Sequence, residues 1–180
     1  MLLKTLLFAV ILLGFSFFSF LVLAKESTPT SATASPVDYT LPYPGLLPDH
    51  PLFFVKQLRD KILLLLITNQ NRRVEFYQLM ADKYVNMAVF LAQEKKATLA
   101  VSTLDQAVGY VKSTQAEVGK LPPTRSDEVG NLKHRFELSL QKYPEVLTKE
   151  AGGVSGEDAT KWQADIEEIG KFGLAAMKGK

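Results

Sequence analysis

From Val74 onward the apolar residues of this chain recur in alternating steps of three and four, a spacing that fits helices and little else. Tyr77, Met80, Tyr84, Met87 and Leu91 form one stripe, flanked by Val74, Ala81 and Ala88. Ala97, Val101, Leu104, Val108, Val111 and Val118 form a second. The register slips by three residues between Leu91 and Val101, so a turn near Glu94 to Thr98 is expected in place of one continuous helix. Leu121-Pro122-Pro123 ends the second helix, and Thr124 and Asp127 have capping-box spacing. Val129, Leu132, Phe136 and Leu140 make a third stripe, ahead of Tyr143-Pro144. Past a flexible break at Ala151-Gly152-Gly153, Ser155 is placed to cap a last helix. In it Ala159, Trp162, Ile166, Ile169, Gly173 and Ala176 fall on heptad spacing. No strand pattern competes. The expected fold is all-α, an antiparallel bundle of about five helices.

Ahead of this lies a segment of another kind. Thr5 to Ala24 holds 20 consecutive residues without a charge, and as a helix it would be ~30 Å long, the thickness of a bilayer hydrocarbon core. Two readings stand. A signal peptide would use Lys4 as its positive end and Val22-Leu23-Ala24 as a small-residue cleavage site. An uncleaved anchor would keep Lys4 on the cytoplasmic side, and the length of the run leans that way. Either way the remainder is expected outside the cytoplasm, anchored to the membrane or free after cleavage near Ala24. A lipid-modified cysteine is excluded because the chain has none.

Residues 25–38 read as a linker: from Ser27 to Asp38, six of twelve residues are Ser or Thr and two are Pro. Such a stretch buries too little apolar surface to repay its ordering. The domain proper is expected over residues 39–180. Without residues 1–24, which hold only Lys4 of the 21 Lys and Arg, the balance is 20 cations against 19 Asp and Glu. A near-neutral total argues against a nucleic-acid binder or a polybasic membrane-surface protein. The absence of cysteine removes any disulfide framework or thiolate metal site. Stability must come from packing.

The most distinctive local sequence runs from Tyr39 to Lys56. Pro42, Pro44, Pro48 and Pro51 bias their neighbours toward extended backbone, which predicts an ordered, non-helical lead-in over Tyr39 to Leu47. Asp49 is the expected N-cap of the helix that follows, with Pro51 in its first turn. Leu52, Val55, Leu58, Ile62 and Leu65 are its expected inward face, with Lys56, Arg59, Asp60 and Lys61 off the stripe. Ile62 to Ile67 is apolar all round and must be surrounded by protein or by a partner.

Pro44, Gly45, Pro48, Pro51, Leu52, Phe53, Lys56 and Asp60 match the pattern P-G-x-x-P-x-x-P-L-[YF]-x-x-K-x-x-x-[DE]. In this the chain resembles a family of bacterial exported helical domains of unknown function, over roughly residues 43–120. The resemblance implies a helical fold and a bacterial origin, and no established activity.

Chemistry-bearing motifs are sparse. His50 sits in the Pro-flanked helix start beside Asp49, and His134 on the polar side of its helix near Glu137. Neither H-E-x-x-H nor Glu-x-x-His occurs. No nucleophile elbow or S-x-x-K is present, and the glycines form no phosphate loop. Asp165, Glu167 and Glu168 fall among solvated positions, and Arg72-Arg73 and Lys95-Lys96 are short basic pairs at helix ends. An enzyme is not expected, nor a metal or cofactor.

The favoured reading is a non-catalytic interaction module that binds a protein or cell-envelope component, or itself. Tyr39, Leu41, Tyr43 and Leu46 are the candidate partner-binding residues; the plainer reading of the same four is a strap packed over the bundle. The alternative is a binder of a hydrophobic small molecule or lipid, held among Phe53, Phe54, Tyr77, Met80, Tyr84 and Met87, residues that more often simply form core. An envelope chaperone or stress sensor is a further alternative, and it predicts an exposed apolar face.

Overall fold

The computed structural model describes residues 37–122 and 126–178. The chain divides into two units, Met1–Pro36 and Val37–Lys180. The expected membrane or signal segment, the linker up to Pro36, and Thr124 lie outside the described residues.

The described chain is all-α: α1 (Phe53–Leu66), α2 (Gln70–Gln93), α3 (Ala97–Gly119), α4 (Asp127–Lys149) and α5 (Glu157–Lys178), with a 3-10 turn at Ala151–Gly153. No strand occurs among the described residues. The stripes read from the sequence become the core. Tyr84, Met87 and Leu91 of α2, Val101, Leu104, Val108 and Val111 of α3, Phe136 and Leu140 of α4, and Trp162, Ile166 and Ile169 of α5 are all buried in one cluster. Val74, Leu121, Val129 and Leu132 form a smaller cluster.

The turn between α2 and α3 falls where the register slip places it, and its chemistry explains why no glycine announces it. Lys96 N–H donates to Leu91 O at 2.9 Å and Lys95 N–H to Ala92 O at 3.0 Å. These are the paired bonds of a Schellman C-cap, whose left-handed residue is usually glycine. Here Lys95 takes that position at φ 60°.

Other local expectations shift. Asp49 does not cap α1: the helix begins at Phe53 with Leu52 at the N-cap position and no side-chain cap. Asp49 pairs instead with Lys96, and His50 Nδ1 accepts the Leu52 N–H at 3.1 Å. The cap of α4 is Ser126, whose hydroxyl accepts the Val129 N–H. Gly156, at φ 65°, stands immediately ahead of α5, one residue past the expected Ser155. Pro144 does not stop α4, which continues to Lys149. Proline there leaves the Leu140 carbonyl without its helical donor. Gly173 of α5 lies beside that carbonyl, close enough that a Cβ would sit 3.7 Å from it. Continuation buries Tyr143 and Leu147 completely, which offsets the proline.

The largest departure is α1, which is turned around. The expected inward stripe, Leu52, Val55, Leu58, Ile62 and Leu65, faces solvent along its whole length. The inward face is instead Phe53, Lys56, Gln57 and Asp60, with Phe53 and Asp60 buried. Periodicity located the stripe correctly but not its direction. Phe53 sets its ring edge-on to Tyr84 at 6.3 Å, and Lys56 and Asp60 follow it on the same side at one-turn intervals.

Candidate functional site

The lead-in, residues 37–52, is a strap held down by side chains from three helices. Val37 is gripped by α4: its N–H donates to Glu145 Oε2 at 3.3 Å and its carbonyl accepts from Lys142 Nζ at 3.2 Å. Tyr39 donates its hydroxyl to Asp82 Oδ2 at 2.8 Å. Asn86 Nδ2 donates to Pro42 O at 2.9 Å. Lys56 Nζ donates to Pro44 O at 2.9 Å and Leu46 O at 3.3 Å, which fixes the turn around Gly45, itself at φ 76°.

Asp82 is the hub of this arrangement. It is buried, and its other oxygen, Oδ1, accepts the Tyr143 hydroxyl at 2.7 Å. Burial pushes the Asp82 carboxyl above its usual range, against the opposing pull of the two tyrosine donors and of Arg135. Tyr39 is driven up to about 12 by its own burial and by the facing carboxylate. Gln78 Nε2 donates to the Tyr39 oxygen at 3.2 Å. This clamp was not foreseen from the sequence. A lone Asp in a helix reads as solvent-facing, although Asp82 stands among Met80, Ala81, Tyr84 and Val85, which are all buried.

The four candidate partner-binding residues therefore separate. Tyr39 and Leu41 turn toward the bundle, Tyr39 through Asp82 and Leu41 by packing on the core. Tyr43 and Leu46 stay exposed and line a groove of about 430 Å³, shared with Pro44, Gly45, Leu52, Val55, Lys56, Arg59 and Lys83. The groove wall carries three cations and no carboxylate. Burial lowers the Lys56 ammonium to about 8, with Lys83 and Arg59 adding to the shift and Asp60 opposing it. Arg59 bonds Asp60 through Nε at 3.0 Å and Nη2 at 2.7 Å. Lys83 makes no hydrogen bond or ion pair among the described residues.

The groove runs into the outward face of α1. Phe54 is 64% exposed, Leu65 82% and Leu66 71%. At 3.6 residues per turn, Phe54, Leu65, Leu58, Ile62, Val55 and Leu66 cover an arc of about 120°. Lys61 borders that arc on one side and Arg59 on the other. Burying a large apolar side chain is worth about 1.5–3 kcal/mol, a gain this stripe leaves unrealised within the domain.

Of the six candidate pocket residues, Phe53, Met80, Tyr84 and Met87 are buried and packed, Tyr77 is half-buried and Phe54 points outward. None of the six lines the groove just described or a second one of about 500 Å³. That second groove lies among Val118, Leu121, Lys133, His134, Phe136, Glu137 and Ala176. It collects His134, which is itself exposed, while His50 is exposed beside the strap. Among the described residues no three His, Asp or Glu side chains group so as to hold a metal ion. Nor is any described helix long and apolar enough to cross a membrane.

Compared with known proteins, the chain matches no family model, no curated protein and no solved structure.

Proposed function

We propose that this protein is a non-catalytic, extracytoplasmic helical module that binds a protein or a component of the cell envelope. It is tethered by Thr5–Ala24, or released by cleavage near Ala24, and spaced from the membrane by the Ser/Thr/Pro-rich linker. The observation that carries the reading is the outward stripe of α1: the helices behind it bury their own core, and this face is built apolar and left open. The resemblance of residues 44–60 to exported helical domains supports the same location. An envelope chaperone is the second reading, favoured by the same exposed face.

The test is topology. Protease added outside sealed host spheroplasts should remove residues 37–180, and intact mass should show either the full chain in membranes or Lys25–Lys180 in the soluble fraction. Protection of the domain until the cells are lysed would place it in the cytoplasm and end the reading. A chaperone would in addition suppress aggregation of a denatured client, which a dedicated docking module would not do.

A further inference from the structure

We propose that the outward stripe of α1, bordered by Lys61 and Arg59 and continued into the groove under Tyr43 and Leu46, docks onto a bilayer containing anionic lipid. The inference rests on the exported, tethered reading above and names the envelope component.

The first argument is charge. Over the whole chain cations and carboxylates nearly cancel, but they are not evenly spread. Along α1 the cations are Lys56, Arg59 and Lys61, and the one carboxylate, Asp60, is buried on the inward side. Lys83 adds a cation with no counter-charge at the groove. Lys56 is already held by two strap carbonyls, so the groups left for an acidic headgroup are Lys83, Lys61 and the Arg59 Nη1 that its Asp60 pair does not use. An apolar arc between two cationic edges is the pattern of a helix that lies in a membrane interface.

The second argument is reach. With Thr5–Ala24 in a bilayer, residues 25–36 extend at most about 40 Å, close to the diameter of a domain of this size. A tether of that length would hold the domain, whichever way it turns, at high effective concentration near lipid, so that a weak surface affinity suffices.

The third argument is area. A 14-residue helix is about 21 Å long and presents a footprint of roughly 200 Å², against ~800 Å² per partner for a stable protein interface. A second copy would also bring the same cationic edges together. A bilayer asks for no minimum partner area, and acidic lipid supplies the missing charge.

The experiment uses the full-length chain with Leu65→Cys, a unique thiol because the protein has no cysteine. The thiol is labelled with an environment-sensitive fluorophore, and the chain is reconstituted in phosphatidylcholine vesicles with or without about a third phosphatidylglycerol. A reference label sits at Gln163→Cys on the exposed side of α5. The expected result is several-fold stronger quenching of the Leu65 label by lipids spin-labelled on their acyl chains, in anionic vesicles only, with the Gln163 label unaffected. Lys61→Glu with Lys83→Glu should remove most of that quenching with the fold retained, read as a cooperative melt; Lys61 is exposed and Lys83 half-buried. A Leu65 label as water-exposed as that at Gln163 would overturn the proposal. So would equal quenching in neutral vesicles. A label that is buried yet untouched by quenching lipid, and only at high protein concentration, would assign the face to a second copy. Topology is read separately by protease, so export can stand where lipid docking fails.

Discussion

Lys95 stands where glycine is usual, and Gly153 where only glycine fits. Lys95 sits at positive φ, where a Cβ is strained by about 1 kcal/mol. Lys95→Gly should therefore raise stability by roughly 0.5–1 kcal/mol, read as a higher melting temperature. Gly153 is needed for a different reason: a Cβ there would overlap the backbone carbonyl of Ala92. Gly153→Ala must push the 3-10 turn off the end of α2, and a loss of about 1–3 kcal/mol in denaturant unfolding is expected. The Asp82 hub makes a third prediction. Tyr143→Phe leaves a buried carboxylate oxygen without its 2.7 Å donor and should cost about 1–3 kcal/mol. A cost near zero would mean water enters the site. Sequence reasoning reaches none of these three positions. A lysine in a turn, a glycine in a break and an aspartate in a helix look ordinary until the backbone brings each against its neighbour.

At the scale of elements, periodicity carried much of the information. The stripes from Tyr77, Ala97, Val129 and Ala159 mark helices that exist, and the α2–α3 turn falls at Glu94–Lys96 as the register slip demands. Failures occurred where periodicity is silent on direction or where tertiary contacts override a local breaker. Pro144 reads as a stop, yet the helix passes through it because Tyr143 and Leu147 gain full burial. The α1 stripe was seen, but Phe53 and Asp60 decide which side faces the body. Half of the candidate site was legible: Tyr43 and Leu46 stand at the groove, whereas of its cations periodicity places Lys56 and Arg59 only as off the stripe and gives no signal for Lys83. The reversed orientation makes a sharp prediction. Ile62→Ser with Leu65→Ser should leave stability within about 0.5 kcal/mol, as at exposed positions. The same pair in a core would cost several kcal/mol. Urea unfolding of the double variant beside the parent chain decides between these.

At the scale of the whole molecule, Asp165 is one of the carboxyls that tie stability to pH. Asp165 of α5 is buried, its Oδ2 has no hydrogen-bond partner among the described residues, and burial raises its pKa to about 6, with Asp105 and Glu168 adding and Lys161 and Lys112 opposing. Its unfolded value is near 3.8, so between the two values the folded chain binds more protons than the unfolded one. Its contribution is fully present below about pH 4 and is lost as pH rises through about 6. Asp165→Asn should remove this slope and stabilise the protein at neutral pH by on the order of 1 kcal/mol, after discounting for the carboxyl's access to solvent. Melting temperatures of both proteins from pH 4 to pH 8 would settle it; parallel curves refute the assignment.

The reversed α1 also has a colloidal consequence. A domain with one helix that turns Lys56, Gln57 and Asp60 inward and presents leucines outward carries a surface-active face. Residues 37–180 on their own should gather at any air–water or oil–water boundary and lower its tension, whatever lies on the other side. Losses at bubbles, filter membranes and vial walls during handling would then report that same exposed face.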